Sequence, residues 1–152
     1  MKAIVLFLFA TSCGSTSHWS VVEGVCPYTE DTVLSAIDIA LSTYESAVGV
    51  AAVEEIRHGN LTIAWTPELI DCGAGATARG CVYPRQRVVE LRAVEERPIA
   101  ATALAHELMH LVLWVRGAID YEVIDKDNDP DGIWLREYVD GANMAIRGEV
   151  MP

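Results

Sequence analysis

His106, Glu107 and His110 form the pattern H-E-x-x-H in His106-Glu107-Leu108-Met109-His110. On a helix, positions four apart lie one turn apart on one face, so two imidazoles can close on a single metal ion. Glu107, the next residue along, can bring a carboxylate to water held at that metal without itself being a ligand, which is what a general base requires. The chemistry these residue types offer is zinc-assisted activation of water. The flanks supply a helix. Pro98 suits a first turn, and Ala100, Ala101, Ala103, Leu104 and Ala105 are strong helix formers. Leu111 to Val115 continue the apolar run until Gly117, a C-terminal stop. The pattern predicts a helix of about 18 residues, apolar nearly all round and so buried through the domain centre. A buried glutamate there is costly unless it has a partner or a task.

The elements that position these residues come next. Arg87-Val88-Val89-Glu90-Leu91-Arg92-Ala93 alternates as a strand, with Val89, Leu91 and Ala93 on one face and Val88, Glu90 and Arg92 on the other. Strand followed by H-E-x-x-H helix resembles the active site of the zincin metallopeptidases, over residues 87 to 117. The resemblance implies a Zn2+ cofactor, a peptide or protein substrate, hydrolysis of peptide bonds, and a strand at 87–93 that forms the cleft edge and pairs with extended substrate. A catalytic zinc takes three protein ligands and leaves one place to water. The metzincin extension needs glycine and histidine where this chain has Leu113 and Arg116, and no histidine follows His110. The third ligand is therefore expected to be a carboxylate. Glu137, on the next helix, is the gluzincin-like choice and is preferred, because a packed second helix presents a carboxylate rigidly. Asp120, in a segment resembling the aspzincin pattern without its threonine, and Asp131 are the alternatives. Tyr121 or Tyr138 is expected to donate to an oxyanion.

Asp127-Asn128-Asp129-Pro130-Asp131-Gly132 fits D-x-D-x-D-G, the opening of a calcium loop, in which alternating oxygens converge on a hard cation and glycine permits the turn. Asp127, Asp129 and Asp131 are thus candidate Ca2+ ligands. The closing glutamate of such a loop falls one residue early, at Glu137, and the ordinary alternative is a solvated acidic turn.

The amino terminus reads as an export address. Lys2 precedes a short apolar run through Ala10, right for a signal peptide and too short to span a bilayer. Ala10-Thr11-Ser12-Cys13-Gly14 then resembles a bacterial lipoprotein cleavage box, implying residues 1–12 as signal peptide, lipidation at Cys13 and a cell-envelope location; a periplasmic or secreted protein is the alternative. Residues 13–28 read as a tether and 29–152 as one domain. Cys72 and Cys81 bracket a Gly/Ala-rich loop that can close as a disulfide, leaving Cys26 over; the alternative is that Cys26 pairs with one of them instead. A net charge of −11 argues against nucleic acid and against anionic headgroups, so the membrane is expected to be reached only through the lipid.

The remaining pattern is α+β: a small zincin-like domain with a short, mostly antiparallel sheet packed against the active-site helix and a C-terminal helix. A first helix capped by Thr29 or Asp31 runs to about Val48, with a short helix over 50–57. Strands fall at Leu61–Trp65, at Gly80–Tyr83 and at 87–93, the last two joined as a hairpin through Pro84-Arg85-Gln86. A last helix covers Ile133–Ile146, with Trp134, Tyr138 and Ala142 on one side. Trp65, Trp114 and Trp134 are expected in the core, and His58 on the surface. Two other functions fit the same residues: a non-catalytic metal-binding envelope lipoprotein, and a calcium-stabilised interaction module.

Overall fold

A computed structural model describes residues 19–21, 26–73, 77–93, 97–118, 120 and 122–150. The signal peptide, Cys13, His18 and Tyr121 lie outside the described residues. Element order is β1 (Trp19–Val21), α1 (Glu30–Val48), α2 (Val50–His58), β2 (Leu61–Thr66), β3 (Ile70–Asp71), β4 (Thr77–Ala78), β5 (Gly80–Tyr83), β6 (Val88–Arg92), α3 (Leu104–Val115) and α4 (Pro130–Val150), with 3-10 turns at Ile99–Ala101 and Val123–Asp125.

Thr29 caps α1, its side-chain oxygen accepting from the Thr32 N–H, so the hydroxyl satisfies a donor that the helix cannot. Val33, Ile37, Leu41, Tyr44 and Val48 then recur at helical spacing and are buried. Gly49 ends the helix at φ +93, where a side chain would be strained, and returns its N–H to the Glu45 carbonyl. Across the α1–α2 corner, Arg57 donates to Asp38 (3.1 Å), Glu45 (2.6 Å), Glu54 (2.8 Å) and Ser42 (2.6 Å). Exposed His58 pairs with Glu54, a surface role as its setting suggested.

The main sheet has the order β1-β2-β6-β5. Antiparallel pairing is found in the hairpin β5–β6 and in the separate pair β3–β4, while β1–β2 and β2–β6 run parallel. The small α+β domain is the one expected, and its strands combine antiparallel with parallel pairing. The chain reverses between β2 and β5 and again in the Pro84–Arg87 turn, so β6 returns alongside β2 in the same direction. Leu61, Ile63 and Trp65 of β2 join Val89 and Leu91 of β6 in a core shared with α1 and α3. The alternation expected for residues 87–93 is therefore the one observed.

Three expectations change. Helix α3 has 12 residues, and the preceding turn is separate from it. Thr102 makes the break: it lies extended, its hydroxyl donates to the Ile99 carbonyl (2.6 Å) and accepts from the Leu104 N–H (3.3 Å), replacing helical bonds with local side-chain ones. Helix α4 starts earlier, with Pro130 in the first turn, where its missing N–H costs nothing. It buries Leu135, Val139, Ala142 and Ile146 and leaves Trp134 43% exposed, edge-on to Tyr138. The core-facing stripe of α4 lies on Leu135 and Val139, one residue away from the tryptophan in each turn. No helix among the described residues is long and apolar enough to cross a membrane.

Candidate metal centre

Helix α3 presents His106, Glu107 and His110 at the floor of an open cavity of about 360 Å³. The helix is fixed from behind: the buried Tyr44 hydroxyl donates to the Ala105 carbonyl at 2.6 Å, one residue before His106. Burial pushes the Tyr44 hydroxyl pKa up, so it stays a donor. One wall of the cavity is β5, with Gly80, Val82 and Tyr83. The other is the turn Val123–Asp125 with Glu122. The Tyr83 hydroxyl donates to Glu90 at 3.2 Å. Cys72 and Cys81 both line the cavity and are joined as a disulfide, the pairing their spacing suggested.

Asp125 completes the site. His106 Nε2 lies 3.0 Å from Asp125 Oδ1, His110 Nε2 lies 3.3 Å from Asp125 Oδ2, and the two Nε2 atoms are 3.1 Å apart. The donor set fits a metal. Two nitrogens and an oxygen bound tetrahedrally at about 2.0–2.1 Å would stand about 3.3 Å from one another; the two nitrogens are already that close, and each has one oxygen of the Asp125 carboxylate at that range. Imidazole and carboxylate are also the donor types that zinc accepts. Among the described residues, His106, His110 and Asp125 are the group able to hold a metal ion in this way. Hydrogen bonds from His106 and then His110 hold the Asp125 carboxyl far below the ordinary carboxylate range, leaving it an anion.

Glu107 is 7% exposed and lies against β5, its Cγ and Oε1 beside Gly80. Burial pushes its carboxyl pKa up; His110 and His106 pull it down, and Asp125 raises it. A carboxylate whose basicity is raised by desolvation is better suited to take a proton than a fully solvated one.

None of the expected carboxylates is brought to the two imidazoles. Glu137 is exposed: it stands two residues from both Leu135 and Val139, and two residues of helix turn it about 200° away from the buried face. Asp120 is bound to the Lys126 ammonium, which holds its carboxyl below its ordinary value. Asp131 is exposed at the start of α4. Nor do Asp127, Asp129 and Asp131 gather around a calcium position. Asp129 caps α4 instead, accepting from the Asp131 N–H (2.9 Å) and the Gly132 N–H (3.3 Å). The loop carbonyls of Ile124, Lys126 and Asp127 are taken by the Arg136 guanidinium, at 2.6, 3.3 and 3.4 Å. Gly132 likewise serves packing: a Cβ there would overlap the Val123 carbonyl oxygen.

Strand β6, expected at a cleft edge, is not an edge strand. β6 is flanked on both sides by β2 and β5, so the open edge beside the metal centre is β5. Sequence reasoning missed Asp125 because it lies in a short irregular segment with no motif around it. The usable signal was an aspartate following the buried Ile124 in the connection between the two helices. Tyr138 lies partly buried against Trp134 on α4. Comparison with protein-family models, with curated proteins and with solved structures finds no match to this chain.

Proposed function

We propose that the chain is a zinc-dependent peptidase, with His106, His110 and Asp125 as ligands and Glu107 as general base. The observation that carries this reading is the convergence of two imidazole nitrogens and a carboxylate at tetrahedral-edge spacing on the floor of an open cavity, beside a buried carboxylate that is not among the donors. When bound, zinc supplies Lewis acidity and lowers the pKa of water. Glu107 takes the proton of the attacking water and delivers it to the leaving amine. Strand β5 is paired on one side only, so its other side offers backbone N–H and C=O groups to an extended peptide laid along the cavity. Tyr83, at the end of that strand, lines the same cavity.

Elemental analysis of the purified chain beside His110→Ala tests the metal: about one zinc per chain, lost in the variant, is the expected result. Glu107→Gln then tests the chemistry. Hydrolysis of a casein or mixed-peptide substrate should vanish while zinc stays, and undiminished hydrolysis in that variant would overturn the assignment. Zinc bound by a chain that cleaves no peptide would identify a non-catalytic metal-binding protein instead. The proposal extends to export and lipid anchoring, supported by Lys2, the apolar run and the box ending at Cys13. A mature amino terminus that mass spectrometry finds to be acylated Cys13 is the expected result, and a retained Met1 would overturn it.

A further inference from the structure

Gly80 opens the edge strand β5 and is buried there, at a position where glycine leaves nothing to pack. Its backbone does not require glycine. The positive-φ glycines among the described residues are Gly49, Gly73 and Gly117. Space does require it: a Cβ on Gly80 would lie 2.6 Å from Glu107 Cγ, 2.7 Å from Glu107 Oε1 and 2.8 Å from Ala103 Cβ. Carbon atoms in good contact stand about 3.5–4.0 Å apart. Neither backbone is free to retreat. Gly80 is in register with Leu91 of β6, and its neighbour Cys81 is tied to Cys72. On the other side, α3 is packed into the core along Leu104, Leu108 and Leu111. The group able to yield is the Glu107 side chain.

We infer that Gly80 is a positioning residue: the bare backbone of β5 sets where the Glu107 carboxylate lies beside His106, His110 and Asp125. A side chain at position 80 turns that carboxylate out of place without touching a metal ligand. The catalytic consequence rests on the peptidase reading; the packing consequence does not.

A double-mutant cycle on the full chain separates the two. Melting temperatures are measured for wild type, Gly80→Ala, Glu107→Ala and the double variant, with zinc content determined on the same samples. Removing the Glu107 side chain beyond Cβ relieves two of the three close contacts and leaves the one with Ala103 Cβ, so Gly80→Ala should lower the melting temperature in the wild-type background and lower it less in Glu107→Ala. Additive shifts overturn the inference. Should Gly80→Ala alone fail to fold, folding of the double variant supports the inference and its failure overturns it. Gly148→Ala, where a Cβ meets nothing within 4 Å, serves as the control and should not couple to Glu107. In activity, Gly80→Ala should lose about 10- to 100-fold in kcat, with KM and zinc content held; wild-type kcat with zinc bound overturns the inference. If the wild type itself hydrolyses nothing, the peptidase reading fails and the melting cycle alone decides the role of Gly80.

Discussion

At the scale of single residues, the site turns on which carboxylate faces the two imidazoles. Asp125 faces them because the 3-10 turn brings its Oδ atoms to both Nε2 nitrogens, at 3.0 and 3.3 Å. Glu137 has the same chemistry and the wrong side of its helix. Asp125→Ala is therefore expected to weaken zinc binding by more than about 100-fold, since even the outer partners of metal ligands are worth about 10- to 100-fold. Glu137→Ala should leave affinity at the wild-type value. Competition against a chromogenic chelator measures both, and the opposite ranking would return the third-ligand role to α4.

At the scale of elements, α4 reaches the metal centre indirectly. Its Arg136 donates to the carbonyls of Ile124 and Lys126, the two residues that flank Asp125, and its Gly132 lets the helix backbone approach the Val123 carbonyl. One face of one helix thus holds the turn that carries the third donor. Arg136→Ala is expected to lower zinc affinity about 10- to 100-fold, with helix content by circular dichroism unchanged. Unchanged affinity would show that the turn keeps its shape unaided. The α1–α2 corner depends on Arg57 in another way. This guanidinium is 20% exposed and its carboxylate partners are 36–62% exposed, so solvent screens the network. Arg57→Ala should cost about 1 kcal/mol in urea denaturation, a value already discounted for screening, and the difference from wild type should shrink in 1 M salt.

At the scale of the whole molecule, 22 acidic residues against 11 basic ones give the net charge of −11. Three carboxylates, Glu107, Glu122 and Asp125, line the cavity, and no lysine or arginine does among the described residues. A field of one sign raises the local concentration of opposite charge. With zinc loaded, kcat/KM for a lysine-bearing peptide is expected to exceed that for a glutamate-bearing peptide at low ionic strength. The gap should narrow as salt rises; a gap indifferent to salt would place the preference in local contacts instead.

His106, Glu107 and His110 were legible in the sequence because their chemistry depends on helical spacing, a local property that the flanking alanines and leucines enforce. The strands at Leu61–Thr66, Gly80–Tyr83 and Val88–Arg92 were legible for the same reason, as was α1 with its Thr29 cap. The mixed direction of the sheet was not, because parallel pairing joins β2 to a strand more than twenty residues on, and no local pattern records it. Thr102 shortened α3 by local hydrogen bonds that outcompeted the helix formers around it. The acidic loop fits the opening of a calcium loop by its spacing, while packing gives it a further part: Asp129 caps α4, and Arg136 of that helix takes the carbonyls of Lys126 and Asp127. The sequence by itself determined the two imidazoles, the carboxylate beside them and the helix that aligns them, since periodicity and propensity act over a few residues. The tertiary structure alone decided the third donor, the open edge strand and the contact between Gly80 and Glu107, since each is a meeting of segments brought together by packing.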